Sequence, residues 1–353
     1  MYDIRLSDFS WDQQQNYNTI FASTLERKDF ILGKSVRDFE SSFASYCNSS
    51  SCVTVANCTD ALRLCLESLG TNKTSNVITV GFTWLSTYEV IANLGAEIRL
   101  VDIKDNLTID LDQVETLIDA NTTAIIGVDI FGEPVNWRSK KFSVPTISDA
   151  AQSTGARYNN ERVGSIADFT CFSSYPTKNL GCLGDGGAVV TNQLDHADRI
   201  RVLANHGQRS KFNVEYVGYN SRLDSIQASI LNNKLPLLDS WNERRRTIAD
   251  YYRQELSNYF VPVITDKLAY NVMHQYILMS DDAQALQQHL KNNKIESRRY
   301  YENLAYKQPA YGLKYNLPNT EQASKNNLAI PVHQYLTDNE AEQIVNTVKG
   351  FFK

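Results

Sequence analysis

Lys178 stands in Phe172-Ser-Ser-Tyr-Pro-Thr-Lys-Asn-Leu-Gly-Cys-Leu-Gly-Asp-Gly-Gly187, downstream of the acidic segment Ser148-Asp-Ala-Ala-Gln152. A lysine among small polar residues can form a Schiff base with an aldehyde. A carboxylate can hold a proton on a pyridine nitrogen, so that the ring accepts the electrons of a carbanion. Lys178 and Asp149 are therefore the candidate pair for pyridoxal phosphate chemistry. The lysine must give up its proton to act, which desolvation and a nearby cation favour. Gly181, Gly184, Gly186 and Gly187 would allow close backbone approach and positive φ angles beside it, although their order matches neither a Walker loop nor a dinucleotide fingerprint.

Other residues surround this pair with supporting chemistry. The turn Ala56-Asn-Cys-Thr-Asp60 follows a strand and opens a helix, where unpaired N–H groups and the positive end of the dipole favour a phosphate. Thr59 would add a hydroxyl there, or serve only as an N-cap. Asp149 falls at the carboxyl end of a short apolar strand from Val144 to Ile147, where such strands deliver side chains to a crevice; as an alternative it caps a helix beginning at Ala150. Gln152, one turn on, could donate to a phenolic oxygen. Trp84, in Gly81-Phe-Thr-Trp-Leu-Ser-Thr87, could stack on an aromatic cofactor or simply fill the core. If the segment before Lys178 is extended, Ser173 reaches a phosphate and Tyr175 the reacting carbon.

These side chains need a scaffold, and the hydrophobic pattern supplies one. Cys52–Ala56, Asn76–Val80, Ile98–Val101, Ala124–Ile130 and Gly187–Thr191 read as strands rich in valine and isoleucine. Helical spacing runs from Thr59 with Leu62, Cys65, Leu66 and Leu69 inward and Gly70 as the cap, then over Trp84–Leu94, Leu111–Ile118 and Asp195–His206. A long helical stretch from Leu223 to Leu256 carries Ile226, Ile230, Leu231 and Leu235 on one face, with Pro236 expected to break it. The alternation implies an α/β fold, a mostly parallel sheet covered by helices on both faces. Beyond about residue 258 the pieces shorten: Phe260–Ile264 and Gln275–Leu278 as strands, Ala283–Lys291 and Asp338–Phe352 as helices. A large cofactor-binding domain over 1–240, N-terminal segment included, and a smaller α+β domain over 241–353 are expected.

Bulk properties exclude several classes. The chain has 353 residues, 42% of them hydrophobic, and a net charge of -5, enough for a full core and without the basic stripe that nucleic acid requires. Its longest basic run, Arg244-Arg245-Arg246, reads as the solvated face of a helix. The six cysteines form no Cys-x-x-Cys pair and the five histidines lack metal-ligand spacing, so no metal site and free thiols are expected. No signal segment or membrane-length apolar run is seen, and a cytoplasmic protein is expected.

Taken together, the segments resemble the DegT/DnrJ/EryC1/StrS group of sugar aminotransferases. The resemblance runs over nearly the whole chain: Phe30-Ile-Leu-Gly33 with Phe39-Glu40, Asn57-Cys-Thr-Asp-Ala-Leu62, Phe82-Thr-Trp-Leu-Ser-Thr87, Ser148-Asp-Ala-Ala-Gln-Ser-Thr-Gly155, Ser173-Ser-Tyr-Pro-Thr-Lys-Asn-Leu180 with Gly184-Asp-Gly-Gly187, and Gly218-Tyr-Asn-Ser-Arg-Leu-Asp224. It implies the aspartate aminotransferase-like, type I fold. It implies that Lys178 carries the cofactor as a Schiff base, Asp149 pairs with the pyridinium, Gln152 with the phenolic oxygen, Thr59 and Ser173 hold the phosphate, with Cys58 beside it, and Trp84 covers the ring. It further implies a homodimer with shared sites, Asn220 reaching the neighbour's phosphate with Arg222 close by. L-glutamate would donate the amine and a nucleotide-linked keto sugar would accept it, Lys178 moving the proton in each half-reaction.

Regiochemistry follows from finer likenesses. Tyr175, with His206-Gly-Gln208, resembles members that aminate C-3 of a nucleotide-linked 3-keto sugar, whereas many that act at C-4 carry histidine at the position of Tyr175. Amination at C-3 is expected, with C-4 of a 4-keto-6-deoxy sugar the alternative, in either case for a cell-surface glycan such as O-antigen or lipopolysaccharide. Two features depart from the pattern. Cys58 replaces a common glycine, and its thiol at a helix N-terminus could be reactive. In place of a His-Tyr-Pro element stands Ser297-Arg-Arg-Tyr-Tyr-Glu302, whose Tyr300 and Tyr301 are expected to touch substrate and whose Arg298 and Arg299 contact the nucleotide diphosphate or a sugar carboxylate, or merely lie on the surface. A non-catalytic sugar-nucleotide sensor of the same fold is the remaining rival. Lysine at 178 argues against the related dehydratases, which carry histidine there.

Overall fold

The computed structural model describes residues 2–15, 17–263 and 265–352. Seven strands form the central sheet: β1 (Ser51–Val55), β2 (Asn76–Val80), β3 (Glu97–Val101), β4 (Thr122–Val128), β5 (Thr146–Asp149), β6 (Phe169–Ser173) and β7 (Gly187–Thr191). Their order is β1-β7-β6-β5-β4-β2-β3. The run from β6 to β3 is parallel, and β7 is antiparallel to both of its neighbours. β2, β6 and β7 are buried at every position, as strands covered on both faces must be. Fold class and architecture are thus those the alternation of elements implies.

The helices follow the apolar spacing, with shifts at their ends. The first crossover helix is Cys58–Ser68, burying Leu62, Cys65 and Leu66 and also Leu64. Gly70, at φ +79, ends it in the left-handed region. The next is Leu85–Asn93. The long stretch divides into Ser225–Lys234, a 3-10 turn over Leu235–Leu237 and Leu238–Leu256; Pro236, which can donate no helical hydrogen bond, lies in the turn. Residues 111–118 give only a short helix, Leu111–Val114, and a 3-10 turn. The helices Lys34–Tyr46 and Pro318–Asn326, and strand β6, were not expected.

A second apolar cluster gathers Ile248, Tyr252, Leu278, Leu286, Ile295, Leu328, Ile344 and Val348 around a three-stranded sheet of Val261–Pro262, Tyr276–Met279 and Asn327–Ile330. The expected strand at 260–264 is thus reduced to two residues, and Ile264 lies outside the described residues. Ile4 joins this cluster, whereas Leu304, Tyr306 and Leu317 pack into the main core.

The basic run is not a solvated face. Arg245 is buried, with Nε donating to Gln334 and Nη1 to the carbonyls of Met273, His274 and Val332, and burial pushes it down to about 10. Arg244 binds Asp338, and Arg246 lies over the Tyr270 ring. Charge alone suggests exposure, but peptide carbonyls left over between elements give a buried guanidinium its partners.

Candidate active site

Asp149 ends β5 and is buried. Its Oδ2 accepts from Thr87 Oγ1 at 3.0 Å and its Oδ1 from the Ala151 N–H at 3.3 Å. A turn, not a helix, follows, so the N-cap reading of Asp149 fails. Burial raises its carboxyl above the usual range, against the Ala151 N–H, the Thr87 hydroxyl and the charge of Lys178. Lys178 follows β6 in a loop whose backbone turns on the bond from its N–H to Tyr175 O, 2.9 Å. Its amine makes no hydrogen bond and no ion pair among the described residues. Burial pulls the ammonium below its ordinary value, with Cys58 and Asp149 opposing. A lowered ammonium is the direction that a nucleophilic amine requires.

The anion turn is organised by a residue other than the expected one. Asn57 is the N-cap of Cys58–Ser68, its side chain accepting from the Asp60 N–H at 2.8 Å. Thr59 is released from capping and donates to Ser86 Oγ at 2.9 Å. β7 packs directly on this turn: a Cβ at Gly187 would stand 2.4 Å from the Asn57 carbonyl carbon, and one at Gly181 equally close to Pro176 O. Close approach is therefore the reason for these two glycines. None of Gly181, Gly184, Gly186 and Gly187 has a positive φ, which corrects that expectation.

Cys58 lies with its Sγ 3.9 Å from Asp149 Oδ1 and 3.5 Å from Cys171 O. Burial and then the Asp149 charge push its thiol well above the ordinary value, so it is not the reactive thiolate considered above; the helix terminus does not offset desolvation beside a carboxylate. All six cysteines are free and buried. Among the described residues no cluster of three metal-ligating side chains is present, and no helix is long and apolar enough to cross a membrane.

Trp84 is 58% exposed at the N-cap of Leu85–Asn93, which excludes a core role, and its ring lies 6.1 Å from that of Tyr301. Gln152 is already engaged: its Oε1 accepts from the Phe131 N–H at 2.7 Å and its Nε2 donates to Tyr301 Oη at 3.1 Å. Tyr301 also packs edgewise on Phe82, and burial raises its phenol. Tyr300 lies behind it, 5.7 Å between ring centres, against Phe131. Ser173 is buried at the end of β6, its Oγ accepting from the Tyr175 N–H at 3.3 Å, and Tyr175 itself is 52% exposed. Thus Asp149, Lys178, Cys58 and Thr87 form one group; Tyr301, on which the Asp149 charge acts, brings Gln152 and Trp84 together beside it. Asn220 and Arg222 are not part of it: Asn220 is exposed, and Arg222 Nη1 donates to Asn205 Oδ1 at 2.9 Å. Arg299 ties Glu302 and the Lys325 carbonyl, while Arg298 is exposed near Glu296.

Thr87 and Ser86 were missed. Both lie within the segment quoted for Trp84, and their positions in the first helical turn after it were the available signal.

A parallel sheet that delivers a buried carboxylate beside an unpaired, desolvated lysine amine, with an anion turn and a free indole at hand, defines an enzyme of the aspartate aminotransferase-like fold with pyridoxal phosphate as cofactor; the donor set fits that group. The chain belongs to the DegT/DnrJ/EryC1/StrS aminotransferase family, whose model matches residues 12–349. It is 38% identical over 337 residues to dTDP-3-amino-3,6-dideoxy-alpha-D-galactopyranose transaminase of Aneurinibacillus thermoaerophilus, covering 93% of each chain. To UDP-2-acetamido-2-deoxy-3-oxo-D-glucuronate aminotransferase of Pseudomonas aeruginosa it is 36% identical, over 88% of this chain and 89% of that one. S. venezuelae DesV, solved in complex with a ketimine intermediate, superposes with a TM-score of 0.93 at 30% identity, over 99% of this chain and 98% of that one.

Proposed function

We propose that the enzyme transfers an amino group from L-glutamate to the C-3 keto group of a nucleotide-linked sugar. The observation that carries the reading is the desolvated Lys178 amine, without a hydrogen-bond partner, facing the Asp149 carboxylate held by Thr87. Bound pyridoxal phosphate supplies a carbonyl for the amine and a ring that accepts electrons. Asp149 would hold its pyridine nitrogen, Thr59 and Ser173 its phosphate, Trp84 its face, and Gln152 its phenolic oxygen. Lys178 Nζ would move the proton from the α-carbon of the donor to the cofactor's aldehyde carbon and, in the second half, move one from that carbon to C-3 of the sugar. Tyr175, exposed beside Lys178, and Tyr300 with Tyr301 line the approach of the sugar.

Amination at C-3 is supported by tyrosine at 175 and by the activities of the two relatives named above. A homodimer with shared sites is supported by Asn220 and Arg222, which the single chain leaves apart from Lys178. It is also supported by the nearby apolar side chains Phe212 and Val217, 87% and 93% exposed. The division near residue 240 is supported by the second apolar cluster, which begins at Ile248 in the chain apart from Ile4. The enzyme is read as cytoplasmic, serving a cell-surface glycan.

An absorbance scan with and without L-glutamate, then mass analysis of products from 3-keto and 4-keto nucleotide sugars, tests the reading. A visible band that glutamate shifts to shorter wavelength, with the 3-keto sugar aminated, is expected. Amination of only a 4-keto sugar would move the regiochemistry to C-4, and the lack of any band after adding pyridoxal phosphate would leave a sugar-nucleotide sensor.

A further inference from the structure

The residue after the lysine is the most heavily tied side chain in its loop. Asn179 is 3% exposed; its Nδ2 donates to Asn242 Oδ1 at 2.8 Å and to the Val272 carbonyl at 3.1 Å. Its Oδ1 lies 3.0 Å from Nδ1 of His274, which is also buried. This geometry fixes the imidazole tautomer. The Val272 carbonyl accepts only, so the atom facing it is the amide nitrogen and the atom facing His274 is the oxygen. That oxygen cannot donate, so the proton of the bond sits on His274 Nδ1. Asn242 continues the chain, donating from Nδ2 to Thr154 O at 3.1 Å.

His274 belongs to the segment that enters strand Tyr276–Met279 of the C-terminal sheet, and Arg245 holds the same segment by its carbonyls. The charged groups acting on His274 are Lys178 and Arg245, both cationic; burial first and these two after it keep the ring neutral. Those acting on Lys178 are Cys58 and Asp149. A neutral imidazole with its proton on Nδ1 is thus the only form that both satisfies Asn179 and adds no charge beside the amine.

We propose that His274 is a positioning residue for Lys178: its Nδ1–H, through Asn179, ties the lysine loop to the C-terminal sheet, so that seating that sheet and aiming the amine are one event. This rests on the reading of Lys178 given above. The first test is nitrogen NMR of the full chain labelled with ¹⁵N-histidine, where a neutral ring protonated at Nδ1 is expected at neutral pH. A ring protonated at Nε2, or at both nitrogens, would overturn the proposal. The second compares His274→Phe, which keeps a ring without the donor, with His274→Asn, whose amide can stand where Nδ1 stood. Acylation of Lys178 by a small amine reagent, measured by mass spectrometry in the full chain without added cofactor and scaled to the other lysines, is the readout. Loosening the loop should raise the His274→Phe rate about tenfold, the equivalent of one buried hydrogen bond, with His274→Asn within about twofold of the parent. Equal effects of both substitutions, or none, would refute a role for the donor. If His274→Phe does not fold, the NMR result decides alone. Survival of turnover in Lys178→Ala would remove the catalytic reading of the lysine while leaving the tautomer and labelling results in place.

Discussion

Two buried aspartates stand at the carboxyl ends of neighbouring strands, and their surroundings divide them. Asp129, just after β4, accepts from the Val135 N–H, Ser148 Oγ and Ser153 Oγ, at 2.7 to 2.9 Å. Asp149, at the end of β5, has one hydroxyl and one longer N–H, and it faces Lys178 and Cys58. A carboxylate offers about four acceptor positions. Asp129 fills three of them, from the loop after β4, from β5 and from the turn after β5, and is a structural tie. Asp149 keeps capacity and charge toward the crevice, which is where a cofactor needs them. Burial pushes Asp129 up to about 7, whereas the Lys178 charge opposes that trend at Asp149.

Removing the base should show the largest effect. Lys178→Ala is expected to lower turnover by about 10³-fold or more, with the thermal midpoint unchanged or raised, because a desolvated amine is lost. Appreciable turnover would sink the assignment. The aspartates then separate: Asp149→Asn should lower turnover by about 10²-fold, and Asp129→Asn should leave it within about threefold while changing the pH dependence of stability. With its folded value raised, the native state keeps a proton that the unfolded chain has already released, so stability falls as pH rises from about 4 to 7. Asp129→Asn should flatten this slope in a series of melting curves without removing it, because burial also raises Glu133, to about 7, and Asp149; equal loss of activity in both variants would erase the distinction.

Smaller changes sharpen the comparison. Thr87→Val removes the hydroxyl from Asp149 and is expected to cost about 1–2 kcal/mol of stability and about tenfold in turnover, by denaturant titration and steady-state rates. Trp84→Ala, at an exposed position, should stay within about 0.5 kcal/mol of the parent stability but release the cofactor faster on dialysis. Unchanged retention would remove the indole from the site.

Much of the scaffold was legible because period and composition report burial locally. Strand β2 coincides with its expected limits, and Pro236 marks the break in the long helical stretch, since both depend on neighbouring residues only. Strand β6 was not legible as a strand. Its Phe-Thr-Cys-Phe-Ser sequence lacks the valine and isoleucine that mark β2 and β7, which are equally short and equally buried. Helix Lys34–Tyr46 went unassigned despite Val36, Phe39 and Phe43 at helical spacing. Capping failed at Thr59 because Asn57, two residues earlier, makes the better cap.

By itself the sequence determined the α/β alternation, the Lys178 and Asp149 pair and the family pattern around them, because these rest on residue type and order along the chain. Only the tertiary structure decided what each side chain faces: that Thr87 holds Asp149, that Gln152 reaches Tyr301 from the far end of the chain, that Arg245 is buried, and that His274 meets Asn179. Hydrogen bonds between residues so far apart in sequence leave no local periodicity, and the charge state of a buried group is set by whatever packing brings beside it.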